Sequence, residues 1–379
     1  MKLGGVRDNT VYAHRDRQIG TWTKQGGFQP RGTIPNPATG IDAVSFAARN
    51  AKTARSLLQP FVGAYTTGNV WPIGQSALLA TNQQWVFQSA DNGLTWEPVH
   101  RLPESSGPMG TLPTACAVHD DVLYLAEYPL HSAPARIVRS TDQGCTWEPY
   151  ITEPESCHFH GVYVDPYSDT LWATTGDADH TSAIGIIENG EFHVVGHGSQ
   201  RWRAVDLAFT PTSIIWGMDA PFADRKEILR LRRRQINQTN PIPDVLTHID
   251  QAVFYTATTT VDDTEWVFLS TAAETIAGTA MDHPENHAHS PVARVIAASS
   301  ASDFRDWHII STFRRRPALA GLTKRFPSAG AYVFLATAPS GEILINPFNT
   351  VSHHGTILQA EIPRTEIETE QTPLLEVMQ

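Results

Sequence analysis

The chain has 379 residues and a formal net charge of −11, so it can bury a large core and is too acidic to take nucleic acid as a general partner. Its 28 basic residues include five lysines (Lys2, Lys24, Lys52, Lys226, Lys324), leaving 23 arginines, a balance that fits either a halophilic surface or a GC-rich genome. Cys116, Cys145 and Cys157 form no C-x-x-C pair and no disulfide framework, Met1 to Asp8 lacks an apolar signal core, and no run of ~18 apolar residues occurs, so a cytoplasmic protein without a membrane partner is expected, with non-classical export or carriage on a particle left open.

In chain order, His14 to Trp22 is a loose echo of the repeat hairpins that come later in the chain, and Ala43 to Leu58 has the period of a helix. Two nearly identical segments follow: Ser89-Ala90-Asp91-Asn92-Gly93-Leu94-Thr95-Trp96 and Ser140-Thr141-Asp142-Gln143-Gly144-Cys145-Thr146-Trp147, with their serines 51 positions apart. Each follows an alternating apolar run. The Ser and Asp side chains suit a turn in which they accept backbone N–H groups, and the Gly can take positive φ. The Trp then opens the next strand. Ser302-Asp303-Phe304-Arg305-Asp306-Trp307 is a degenerate copy without the Gly. Hairpins without the motif lie between, such as Ala183 to Val195 around Asn189-Gly190, and Glu227 to Leu231.

A repeated supersecondary unit of this length predicts an all-β chain folded as a β-propeller. The spacing gives six blades, near 62–102, 110–152, 158–197, 202–247, 252–315 and 326–362, with seven as the alternative. Residues 1–363 are read as one domain, its ring closed by strands from both chain ends, and 364–379 as an acidic tail. The runs Arg230 to Arg234 and Arg314 to Arg316 are read as solvated hairpin tips, with anion binding as the other reading.

The S-x-D-x-G-x-T-W pattern resembles the Asp-box repeats of the sialidase and BNR-repeat propeller superfamily. The resemblance implies that these motifs sit on outer hairpins, away from any substrate. True sialidases use three arginines, a Tyr nucleophile helped by Glu, and an Asp acid/base. Here Phe28 to Pro35 breaks the spacing of the first arginine motif, and no Tyr–Glu pair stands out.

The polar residues with chemical potential concentrate between 158 and 220. His158-Phe159-His160-Gly161 puts two imidazoles on one strand face, the spacing for a shared metal or anion. Thr174-Thr175-Gly176-Asp177 leads to Asp179 and His180; Gly198-Ser199-Gln200 leads to Arg201, Trp202 and Arg203; Trp216-Gly217-Met218 leads to Asp219. This series also resembles an uncharacterised subset of BNR-type proteins, which implies one shared pocket at the channel mouth. His158, His160, Asp177, His180, Asp219 and Glu274 are the candidate catalytic groups. Gln200, Arg201, Trp202 and Arg203 are the candidate substrate-binding groups, Arg being the match for a sugar carboxylate. His287 and His289, in a His-rich insertion, are candidate ligands for a divalent metal. Each has a bland counterpart: satisfied strand histidines, an Asx turn at Asp177, an inter-blade bridge through Arg203, a hydrophilic loop at 282–289.

Three functions fit. A polysaccharide lyase would pair a His base with a carboxylate-neutralising group. A glycoside hydrolase would use two acids from Asp177, Asp219 and Glu274. A non-catalytic glycan-binding or scaffold propeller would need neither. The expected partner is an acidic oligo- or polysaccharide.

Overall fold

The computed structural model describes residues 1–62, 68–106, 110–130, 134–220, 223, 225–273, 290–317, 330–360 and 362. Strands such as Leu78–Asn82 and Ser213–Gly217 are buried along their whole length, and most strands fall in groups of four joined by tight turns. The groups are Lys2–Arg7, Thr10–Arg15, Gln18–Thr23 and Gly27–Thr33; Gly68–Pro72, Leu78–Asn82, Trp85–Ser89 and Glu97–Arg101; Cys116–His119, Val122–Ala126, Ala135–Ser140 and Glu148–Glu153; Phe159–Asp165, Thr170–Thr175, Ala183–Glu188 and Glu191–His197. Then come Ala208–Phe209, Ser213–Gly217, Lys226–Arg232 and Asp244–Ile249; Val253–Val261, Thr264–Thr271, Val292–Ser299 and His308–Arg314; and a last group of three, Tyr332–Thr337, Ile343–Phe348 and Leu358–Ala360.

Each group is an antiparallel meander paired in sequence order, giving seven small sheets. The first strands of adjacent sheets touch one another, so they line the central axis and the fourth strands lie outermost. The chain is a seven-bladed β-propeller. The count is seven rather than six because residues 2–33 form a complete sheet of their own, not a hairpin completing the last blade. Blade one packs on blade seven, with Leu3 and Val11 in one core with Phe334 and Leu344; the Met1 amino group donates to the Gly355 carbonyl at 2.9 Å, and the Leu3 N–H donates to Asn346 Oδ1 at 2.9 Å.

In blades one to six, the pairing of third and fourth strands slips by one residue, for example between Val86 and Phe87 and between Ile137 and Val138. A bulge at this point bends the outer strand and adds twist. The core lies between blades; one cluster joins Leu79 and Leu102 to Leu123, Ile137, Phe159, Val162 and Leu171.

A meander fixes two faces. Loops after the second and fourth strands open on one, called here the upper face; hairpins after the first and third strands close the other, the lower face. Both full repeats are lower-face hairpins between third and fourth strands. Ser89 Oγ accepts the Gly93 N–H at 2.9 Å, Asp91 Oδ1 accepts the Thr95 N–H at 2.9 Å, and Trp96 Nε1 donates to Gly93 O at 3.0 Å. The second copy repeats this through Ser140, Asp142 and Trp147. Gly93 and Gly144 have φ of +86° and +87°. These hydrogen bonds hold both aspartates down to a pKa of about 2, the Thr side-chain bond contributing most. Ser302 occupies the equivalent hairpin of blade six. His14 to Trp22 does not: its turn follows a second strand, on the upper face.

The helical segment is two helices, Gly40–Asn50 and Lys52–Val62, interrupted at Ala51, whose backbone is extended. No described helix is long and apolar enough to cross a membrane. The arginine run after Leu229 is not a solvated tip. Arg230 is buried and bonds Asp303 Oδ1 at 2.7 Å and Asp244 Oδ2 at 3.0 Å, and Arg233 bonds Asp165 Oδ1 at 2.8 Å, tying blade five to blades six and four.

Candidate functional site

The four polar segments singled out from sequence all reach the upper face. His158 lies in the loop from blade three to blade four and Arg203 in the loop from blade four to blade five. Asp177 follows the second strand of blade four, and Asp219 the second strand of blade five. Both loop types rise around the channel mouth, so residues more than forty positions apart meet there.

His160 sits at an irregularity. Phe159 pairs with Thr175 and Gly161 with Thr174, so the ladder skips His160. Phe159 plugs the core between blades three and four while the imidazoles on either side turn toward the mouth, ring centroids 5.1 Å apart. Each ring is pinned from a neighbouring blade. His158 Nδ1 donates to Pro129 O at 3.1 Å, and His160 Nδ1 donates to Ala204 O at 3.0 Å. A carbonyl only accepts, so these contacts place the proton on Nδ1 and leave an Nε2 lone pair on each neutral ring. Both Nε2 atoms are buried and accept no hydrogen bond. Burial lowers the pKa of both, that of His160 to about 3, with the neighbouring His158 and Arg203 adding to the effect.

Asp177 faces this pair, its Oδ2 3.5 Å from His158 Nε2. Arg203 holds it from behind: Nη2 lies 3.0 Å from Asp177 Oδ1, and Nη1 donates to the Asp177 carbonyl at 2.9 Å. The same guanidinium reaches Asp219 Oδ2 through Nε at 3.2 Å, leaving Asp219 Oδ1 buried without a hydrogen bond. Arg203 and Asp219 are largely buried; Asp177 is half exposed. His158, His160 and Asp177 each offer one ligand atom within 4.8 Å of the others, the arrangement of a three-ligand metal centre.

The remaining sequence candidates fall around this centre. Gln200 braces the loop by donating to Asp177 O at 3.1 Å and Asp179 Oδ1 at 2.9 Å. His180 is exposed on the same loop as Asp177. Arg201 turns away to Glu227, at 2.7 Å. Trp202 is not at the mouth: it is buried, stacked on Trp216 with centroids 5.5 Å apart. Glu274, His287 and His289 lie outside the described residues.

Sequence reasoning missed Tyr128. Its ring covers His158 with centroids 3.9 Å apart, and burial, followed by the charges of Asp177 and Asp219, pushes its phenol well above the usual range. The available signal was positional: Glu127-Tyr128-Pro129 follows a second strand, as Asp177 and Asp219 do. Asp206 was missed too. It lines a channel cavity of about 290 Å³ with Pro166, Phe209, Thr256 and Thr337, and burial raises its pKa to about 7. A second carboxylate–imidazole group, His119, Asp120 and Asp169, lies on lower-face hairpins with both acids exposed.

No protein-family model matches this chain, and no curated protein matches it. Solved structures do align. One from the mitotic checkpoint complex is 10% identical, with 94% of this chain and 87% of that chain covered and a TM-score of 0.49. An oligogalacturonate lyase from Vibrio parahaemolyticus is 9% identical over 91% of this chain and 85% of its own, with a TM-score of 0.49. An ancestral GH74 enzyme is 11% identical over 94% of this chain and 44% of its own, also with a TM-score of 0.49.

Proposed function

We propose that the chain is a carbohydrate-active protein that acts on an acidic glycan, uronate- or sialate-containing, at its upper channel mouth, and that its reaction is β-elimination at a uronate. The observation that carries this reading is the convergence of two neutral imidazoles, two carboxylates and a guanidinium on the upper face. In such an elimination a base takes the C–H proton beside the sugar carboxylate, the freed electron pair forms a C=C bond, and the glycosidic oxygen leaves with a proton. The transition state gathers charge on the carboxylate, so positive charge there lowers the barrier. His180, exposed on the loop of Asp177, is the side chain assigned to take the proton.

Elimination fits better than hydrolysis for a physical reason. A hydrolase separates its two acids into one protonated donor and one ionised partner. Asp177 and Asp219 instead both contact the one guanidinium of Arg203, so neither carboxylate stands apart from a cation.

One observation supports a second reading. Arg203 links the loops of blades four and five, as a purely structural bridge would, and this fits a non-catalytic glycan-binding propeller. Incubation with oligomers of galacturonate, guluronate, mannuronate and sialate separates the cases. Ultraviolet absorbance from an unsaturated uronate is the result expected. New reducing ends without that absorbance would select hydrolysis. Binding without either would select recognition.

A further inference from the structure

The elimination reading asks for positive charge facing a substrate carboxylate, and the side chains of the cluster have none to spare. Arg203 brings one positive charge against the two carboxylates of Asp177 and Asp219. His158 and His160 bring lone pairs, not charge. A buried acceptor whose hydrogen bond is unmade is a costly feature of a fold. Here two such acceptors lie side by side, each held in one tautomer by a carbonyl from another blade.

We infer that His158 Nε2, His160 Nε2 and a carboxylate oxygen of Asp177 are the protein ligands of a divalent transition-metal ion. Imidazole ligands usually donate their other N–H to a carbonyl or carboxylate, which fixes the ring and raises its basicity, and both rings here do so. Arg203 orients Asp177 from its far oxygen in the same supporting manner. Ligands ~2.1 Å from one ion stand roughly 3–4 Å apart. The His158–Asp177 distance of 3.5 Å already meets this, and Asp177, half exposed on a loop, is placed to close on the rest. Two nitrogens and one oxygen suit Zn²⁺, Mn²⁺ or Co²⁺ rather than the all-oxygen shells of Ca²⁺ or Mg²⁺. Three protein ligands leave positions open for water or substrate oxygens. The ion turns the local charge from −1 to +1. Its role toward a uronate rests on the elimination reading; its binding does not.

The full chain, stripped with a chelator, is titrated calorimetrically with Co²⁺, Zn²⁺ and Mn²⁺, and the visible spectrum of the Co²⁺ form is recorded. One equivalent is expected, without the intense thiolate-to-cobalt absorption that neighbouring Cys157 would give. His158→Gln and His160→Gln weaken binding by more than the roughly ten- to hundredfold that losing a supporting hydrogen-bond partner costs, whereas Cys157→Ser and His193→Gln leave it unchanged. Circular dichroism of the stripped variants checks folding; should a histidine variant fail to fold, Asp177→Asn carries the test. Absence of stoichiometric uptake by the wild type overturns the inference, as does uptake lost in Cys157→Ser but kept in the histidine variants. Uronate cleavage by the stripped protein would remove the ion's role in the reaction and keep the elimination reading. Uptake without action on any glycan would keep the ion and remove that reading.

Discussion

Arg203 and Asp219 are joined twice. The Asp219 N–H donates to the Arg203 carbonyl at 3.0 Å, and Arg203 Nε donates to Asp219 Oδ2 at 3.2 Å. Backbone and side chain thus fasten the upper loop of blade five to the loop that leads into it. With Asp177 on its other edge, Arg203 sets the position of both carboxylates at the mouth.

Arg203→Met should therefore destabilise the fold by about 3–5 kcal/mol, because it leaves Asp219 buried beside no cation. Adding Asp219→Asn removes the stranded charge and should restore more than half of the loss. Urea unfolding of the two single variants and the double variant measures this. Simple additivity of the two losses would show that the pair does not interact.

The repeat hairpins should matter for stability and not for the site. Ser89 and Ser140 are buried, and each hydroxyl receives a glycine N–H while donating to the neighbouring Asp. Ser89→Ala and Ser140→Ala should each cost about 1–2 kcal/mol. Both turns are on the lower face, so glycan turnover and metal uptake should match the wild type. A loss of either in the folded variants would mean that the two faces are coupled.

Lys2 gives the fold a pH dependence. Its ammonium is buried between blades one and two, donating to Gly68 O at 3.1 Å and to Asn69 Oδ1, 4.6 Å from the Phe334 ring centroid. Burial lowers its pKa from 10.5 to about 7. Between those values the unfolded chain holds a proton that the folded chain has released, so stability rises with pH from about 7 to 10 and is flat below 7 with respect to this group. The rise should reach at most roughly 5 kcal/mol. The Met1 amino group, lowered to about 6 chiefly by burial, adds the same sign between about 6 and 8. Lys2→Met should abolish the rise above pH 8 and keep only the amino-terminal share between about 6 and 8, as read from denaturant unfolding at each pH.

Much of this molecule was legible because a propeller repeats itself. The Ser-Asp-Gly-Trp hairpins announced two blades. Asn189-Gly190, both residues at positive φ, announced a third, observed at 159–197 against 158–197 expected. Blade one stayed hidden because its inner strand carries Gly4-Gly5. A Cβ at Gly4 would stand 2.3 Å from Val70 Cγ1, and one at Gly5 2.3 Å from Pro72 Cδ. Close approach to blade two demands glycine, and glycine erases the strand signal. The mouth was legible as a set of loop positions, since Asp177 and Asp219 each follow a second strand. What the sequence did not carry was the cross-blade backbone contact. Pro129 O and Ala204 O decide which nitrogen of each histidine is free, and no side-chain pattern encodes them. Trp202 misled for a similar reason: Gly196 vacates the space its ring fills, a Cβ there lying 2.2 Å from the indole.

His180 offers the sharpest division between chemistry and binding at the mouth. It shares a loop with Asp177 but stands outside the three-ligand cluster, exposed where the other imidazoles are buried. If it removes the proton, His180→Gln should lower kcat by roughly 10²–10⁴ while KM and metal affinity stay within a few-fold of wild type. His160→Gln should instead lose metal affinity and turnover together, with turnover partly recovered at raised metal concentration. Parallel kinetic and calorimetric titrations of both variants check this. Equal loss of metal affinity in the two would place His180 among the ligands and leave the proton acceptor to be sought elsewhere at the mouth.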